Sequence, residues 1–176
     1  MKKQDILENQ VNLVYLALGS NLGNKKTNLN KCIDLIKKEE IFIKKRSKFY
    51  STKSWPNENF PSFINSIVSI ETKLNITELF LKIKKIEKEL GRIKSKRNYP
   101  RICDIDIIDY NGEIIHRKLG NHKLNTPHKR MHNRNFVLFP LYELDKDWVH
   151  PKLNKNIVIL MSNLTSDQLL GIKIAQ

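Results

Sequence analysis

The sequence lacks most of the features that would settle its class at a glance. It has two cysteines, Cys32 and Cys103, far apart and without CxxC spacing. Neither a disulfide framework nor a thiolate zinc site follows from them, and a reducing cytosol fits best. No run approaches the roughly 18 apolar residues of a membrane span. Residues 1–10 are polar and charged, so no apolar secretory core is expected ahead of the first hydrophobic stretch. Repeats, low-complexity tracts and linkers are absent as well. The 176 residues are therefore expected to form one cytoplasmic domain spanning 1–176, with 1–10 as a frayed lead-in.

A phosphate loop of the GxxxxGK[ST] type is also missing. Residues 19–27 (GSNLGNKKT) sit after a strand and before a helix, where such loops occur. Their glycine spacing is short, however, and no Gly-Lys-[Ser/Thr] follows. A helix-capping Gly/Asn turn accounts for them, which excludes a P-loop NTPase.

Net charge is the one unusual bulk property. Hydrophobic content of 40% and charged content of 28% are ordinary, but the formal charge of +14 suits a polyanion partner. The excess is mostly lysine scattered from end to end among Ile and Asn, which reads as compositional bias. A basic RNA-binding module is the competing class. Against it, the aromatic-rich strand such modules use for stacking is missing, and DIDIIDY places acids where bases would lie. No nucleic-acid or membrane partner is expected.

Hydrophobic periodicity supplies the elements. Residues 11–18 (VNLVYLAL) predict a buried strand and residues from Thr27 a helix with Leu29, Cys32, Ile33 and Ile36 on one face. A second strand is predicted at 41–50, a loop at 51–61, and an alternating strand at 63–72. An amphipathic helix over 75–90, capped by Asn75 or Thr77, stops at Gly91. A basic loop 92–101 feeds a strand 102–110, with 113–115 pairing back as a short hairpin. Residues 134–143 predict a short apolar helix, and 157–164 either a strand or a helix. The order is α+β, a ferredoxin-like βαββαβ core with helices on one face of an antiparallel sheet, plus C-terminal additions.

The chemistry concentrates between Arg92 and Tyr110. On a strand, Asp104 and Asp106 project from one face, about 6.7 Å apart at Cα, while Cys103, Ile105 and Ile107 fill the other. Two carboxylates on an apolar strand need a counter-charge, which a divalent metal supplies. Mg²⁺ is usually held by one or two carboxylates plus substrate phosphates, and the upstream arginines suit those phosphates. An isolated DxD reads equally as half-exposed aspartates paired with surface lysines. Asn65, flanked by Ile64 and Ser66 on a strand, must be hydrogen-bonded, either by a neighbouring strand or by a planar heterocycle. His128, with Arg130 and Arg134 behind it, is a phosphate ligand or a surface loop residue. Glu87 lies near a helix C-terminus, where the dipole disfavours an anion, though Lys84 and Lys88 compensate.

In order along the chain, residues 18–23 (LGSNLG), 47–52 (SKFYST) and 63–65 (FIN) are followed by Glu87, Gly91-Arg92, PR-x-x-D-x-D at 100–106 and PH-x(4)-NR at 127–134. Over roughly residues 12–150 this series resembles the 6-hydroxymethyl-7,8-dihydropterin pyrophosphokinases of folate biosynthesis. The resemblance implies transfer of pyrophosphate from ATP to the pterin, with two Mg²⁺ ions on Asp104 and Asp106. It implies catalytic and phosphate roles for Arg92 and Arg101. Glu87, His128 and Arg134 fall on the ATP side, and Thr52, Phe63, Asn65 and Phe136 on the pterin side. The chain departs from the family pattern where Asn98-Tyr99 replaces the usual Trp-Gly, which leaves Tyr99 or Trp55 to cover the pterin. The basic loop is one residue shorter than in the best-known members, and Lys129 stands where Tyr is frequent. A monomer acting on small molecules is expected.

Overall fold

The computed structural model describes residues 11–39, 41–92 and 99–176, so the expected frayed lead-in lies outside the described residues. Strand β1 (Asn12–Ser20) is followed by α1 (Lys25–Lys38), β2 (Phe42–Arg46), β3 (Tyr50–Thr52), β4 (Phe63–Thr72), α2 (Ile76–Glu89) and β5 (Asp104–Tyr110). A hairpin of β6 (Ile115–Leu119) and β7 (His122–Thr126) comes next, then α3 (Asn135–Leu144). The chain closes with β8 (Val149–His150), β9 (Lys155–Asn156), α4 (Ile157–Ser162), α5 (Ser166–Leu170) and β10 (Ile172–Ile174).

The main sheet runs β10-β3-β4-β1-β5, antiparallel throughout, with β2 also paired to β4. β3 lies against Phe63–Asn65 and β2 against the other end of β4, so the two are halves of one broken strand, with β10 outside β3. With that merger the core is the expected ferredoxin-like βαββαβ. The single strand predicted over 41–50 is broken after Arg46. At the break Ser47 does the pairing with its side chain: its Oγ accepts from the Ile67 N–H at 2.9 Å, while its own N–H donates to the Ile67 carbonyl at 2.9 Å.

Side-chain alternation divides the sheet into two faces. Leu16, Leu18, Val68, Ile70, Ile105 and Ile107 face α1 and α2, meeting Leu29, Ile36, Leu79 and Ile83 in the larger core. Asn75 caps α2 with a capping box completed by Glu78. On the other face, Tyr15, Ile67 and Ile108 are covered by Val137, Leu138 and Leu141 of α3, by Trp148 and by Ile157 and Leu160 of α4. Helices thus pack on both faces, not one, because the C-terminal additions bury a second apolar patch. Residues 157–162 are helical, capped by Asn156. The hairpin predicted at 113–115 is instead β6 with β7, and its Leu124 is buried in the larger core.

The second layer covers the middle of its face, and past it Asp104 and Asp106 at one end of β5 are only half-buried. That end positions the site. Replacing Ser47 by alanine strands the buried Ile67 N–H. An unfolding free energy lower by about 1–3 kcal/mol is expected in urea denaturation, with the m-value unchanged.

Candidate active site

Register brings the predicted residues into rows. Gly19 pairs with Asn65 on one side and with Asp104 on the other; two residues earlier, Ala17 pairs with Ile67 and Asp106. Directly opposed residues share a face, so Asn65, Gly19 and Asp104 lie side by side with Asp106 one row below. Cys103, Ile105 and Ile107 are buried on the opposite face. The middle strand contributes only hydrogen and methyl to this surface. A Cβ on Gly19 would come within 3.3 Å of Asn65 Oδ1 and 3.7 Å of the Phe63 ring, so glycine keeps open a trough between amide and carboxylates.

Asp104 is neutralised by arginines rather than by surface lysines. Arg92 Nη1 donates to Oδ1 at 2.7 Å and Arg101 Nη1 to Oδ2 at 2.9 Å. Burial pushes its carboxyl up, but the two guanidiniums outweigh burial and hold it below the ordinary carboxylate range. Arg134 stands 3.9 Å from Asp106 and lies over the Phe136 ring, with 5.3 Å to the centroid.

Arg92 is delivered by the end of α2. Gly91 takes φ 86°, and the Arg92 N–H donates to the Glu87 carbonyl at 3.0 Å, closing a Schellman turn. The Arg92 side chain then bonds back to the Glu87 carboxylate. Glu87 is almost fully buried and also accepts from Lys84 Nζ and from the Ile105 N–H, each at 2.8 Å. Burial pushes its carboxyl up against the pull of Lys84 and Arg92. Lys84 and Arg92, not Lys84 and Lys88, compensate it. Three carboxylates (Glu87, Asp104, Asp106) thus face four cations (Lys84, Arg92, Arg101, Arg134), leaving positive charge to spare for an anion.

His128 follows the cis Thr126–Pro127 bond and is half-buried, its backbone N–H donating to the Ile108 carbonyl at 2.9 Å. Its Nδ1 accepts from the Arg130 N–H at 3.4 Å, which leaves Nε2 as the protonated nitrogen of the neutral ring. Burial pushes its pKa down, against the pull of Asp106, and Arg134 and Arg130 push it further down.

On the other side of the trough, Asn65 Nδ2 donates to Thr52 Oγ1 at 3.0 Å, while its Oδ1 has no hydrogen-bond partner among the described residues. Phe63 flanks Gly19. Trp55 is 74% exposed beside a cis Pro56, away from the packed rows. Tyr99 packs on Phe60 instead, with ring centroids 5.4 Å apart. Residues 93–98 of the basic loop lie outside the described residues. Sequence reasoning missed Asn21. It is fully buried and spans two loops, accepting from the Arg101 N–H at 2.8 Å and donating to the Pro61 carbonyl at 3.3 Å. In sequence it is indistinguishable from an ordinary turn asparagine.

In the ligand-free protein, an NMR titration of His128 is expected to give a pKa below the ordinary 6.5. Because the folded value is the lower one, His128 contributes stability above the unfolded pKa, lost as pH falls through the folded value. A titration at or above 6.5 would contradict the burial described.

Comparison with known proteins converges on one family. The model of 7,8-dihydro-6-hydroxymethylpterin-pyrophosphokinase (HPPK) matches residues 15–146. An Aquifex aeolicus protein named 2-amino-4-hydroxy-6-hydroxymethyldihydropteridine pyrophosphokinase is 40% identical over 142 residues, covering 81% of this chain and 86% of its own. A Bacillus subtilis protein of the same name is 39% identical over 134 residues, covering 76% and 78%. Among solved structures, Plasmodium falciparum HPPK-DHPS with pterin and p-hydroxybenzoate superposes with a TM-score of 0.76 at 16% identity. That match covers 94% of this chain and 48% of the other, so the chain spans about half that fusion's length and shares its fold. No helix among the described residues is long and apolar enough to cross a membrane. The chain belongs to the 7,8-dihydro-6-hydroxymethylpterin-pyrophosphokinase family, the pyrophosphokinases of folate biosynthesis.

Proposed function

We propose that the chain transfers the pyrophosphate group of ATP to the hydroxymethyl group of 6-hydroxymethyl-7,8-dihydropterin, releasing AMP in a Mg²⁺-dependent reaction, as a single-domain cytoplasmic monomer. The observation that carries this is the row Asn65–Gly19–Asp104. It sets an amide with a free acceptor beside a carboxylate pair, with no side chain between them. A planar ring read by Asn65 would hold its exocyclic hydroxymethyl over the trough, toward the aspartates.

Asp104 and Asp106 fit Mg²⁺. They are hard oxygen donors on one face, partly exposed, and too few to enclose an ion alone. Among the described residues no group of three or more His, Cys, Asp or Glu forms. Phosphate oxygens and waters would supply the remaining ligands. Two bound Mg²⁺ ions would neutralise the phosphate charge and lower the pKa of the attacking hydroxyl.

The remaining work is positioning and charge. Arg92 and Arg101 would leave Asp104 for the phosphates, to which a guanidinium fork donates two parallel hydrogen bonds. Glu87 keeps Lys84 and the Ile105 N–H when Arg92 turns away, so the end of α2 stays fixed to β5. His128, neutral with Nε2 as donor, and Arg134 would hold the nucleotide phosphates. Phe63 and Phe136 would wall the pterin ring, Asn65 and Thr52 would read its edge, and Trp55 would lie at the mouth. The hydroxyl oxygen attacks the β-phosphorus in line. As its O–P bond forms, the bond from the β-phosphorus to the oxygen bridging to the α-phosphorus breaks. AMP departs and the hydroxyl proton passes to solvent.

The test is AMP formation from ATP, Mg²⁺ and 6-hydroxymethyl-7,8-dihydropterin. Wild-type protein is expected to turn over, and Asp104→Ala and Asp106→Ala to fall to background with unchanged circular dichroism. Turnover retained in either variant would sink the metal assignment. Asn65→Ala is expected to raise KM for the pterin at least about tenfold, through loss of a paired amide, while KM for ATP stays put.

A further inference from the structure

Resting on the proposed phosphate role of Arg101, we infer that Asn21 is a positioning residue, which fixes Arg101 and couples the phosphate-side loop to the pterin-side loop. β1 ends at Ser20 and its ladder with β5 ends at Gly19 with Asp104. Asn21, two residues past Gly19, carries the pairing on to Arg101, three residues before Asp104. Its N–H donates to the Arg101 carbonyl at 3.1 Å, and its Oδ1 accepts from the Arg101 N–H at 2.8 Å. Both backbone groups of Arg101 are thereby held, and only the Arg101 side chain is left to move.

The other end of the same amide reaches the opposite loop. Nδ2 donates to the carbonyl of Pro61, two residues before Phe63. Lys25 Nζ fixes the next residue, donating to the Ser62 carbonyl at 2.8 Å and to its Oγ at 3.1 Å. Further out, Phe60 meets Tyr99, so the two loops touch at a second point. Asn21 is fully buried beneath them, and each polar group of its side chain is spent on one loop or the other. A serine would satisfy at most one side. Displacement of a reacting group by about 1 Å costs up to about 100-fold in rate, so the amide's effect should appear in kcat.

The experiment is a double-mutant cycle on Asn21 and Arg101, read as kcat and as KM for each substrate. Asn21→Ala is expected to lower kcat by about 10- to 100-fold with KM for ATP changed less than about threefold. The Asn21→Ala, Arg101→Ala double variant should be no slower than Arg101→Ala alone. Asn21→Asp keeps the acceptor for the Arg101 N–H but loses the donor to Pro61, so it should retain more of kcat and raise KM for the pterin. It also tests the inference if the alanine variant fails to fold. Independent, multiplying losses in the cycle, or an Asn21→Asp variant with wild-type kinetics, would overturn the inference while leaving the role of Arg101 intact. An Arg101→Ala enzyme as fast as wild type would instead overturn that role, and the inference with it.

Discussion

Two carboxylates at the end of a β-strand, where its apolar neighbours are buried, have to be neutralised. Much of the site's architecture serves that requirement. Ile105 and Ile107 turn β5 toward α1 and α2, which commits Asp104 and Asp106 to the opposite face. The Schellman turn after α2 brings back Arg92, and the pairing of Asn21 with Arg101 brings in the second guanidinium. Glu87 accepts from Arg92, Lys84 and the Ile105 N–H at once, so the proposed move of Arg92 onto phosphate would leave Glu87 paired. The same cations that balance the free carboxylates are those best placed for triphosphate. In this picture substrate binding redistributes existing ion pairs and introduces no lone buried charge, which would be costly.

The second organising constraint is space. A sheet fully covered on both faces has nowhere to bind a ligand, and on the C-terminal layer's side Asp104 and Asp106 keep partial exposure. Tyr15, Ile67 and Ile108 lie beneath α3 and α4 with Ala17 packed at their margin, whereas beyond them Asp104 and Asp106 are half-buried beside the buried Gly19 and Asn65. A side chain larger than hydrogen at residue 19 would press on Asn65 and Phe63. Backbone register thus sets the distance between the proposed pterin and phosphate halves. Phe60 of the other loop packs on Tyr99, which lies where the chain departs from the family's Trp-Gly pattern.

Much of this could be read from sequence because it depends on local periodicity. The alternation in DIDI put both aspartates on one face, and Asn75 was one of the two cap candidates for α2, the one the structure uses. What could not be read was tertiary. The 41–50 strand splits because Ser47 Oγ replaces a backbone acceptor, and nothing in the sequence around a serine signals that. The β6–β7 hairpin hides among histidines and lysines; Leu124, Ile115 and Leu119, with the His122 ring against Phe80, tie it to the core. Residues 157–164 were ambiguous because a short apolar run has no distinguishing period; the Asn156 cap decides it. The Arg92 pair on Asp104 joins residues 12 apart, and the double contact of Asn21 with Arg101 and Pro61 joins residues 80 and 40 apart, separations that local periodicity does not report.

The most direct measurement is a crystal structure with Mn²⁺ in place of Mg²⁺ and a non-hydrolysable ATP analogue, read by anomalous diffraction. Two manganese peaks within coordination distance of the Asp104 and Asp106 carboxylates are predicted, with Arg92 and Arg101 moved from Asp104 onto phosphate oxygens. Manganese bound elsewhere, or both arginines still paired to Asp104 with the nucleotide in place, would contradict the central claim that these residues exchange one set of anions for another.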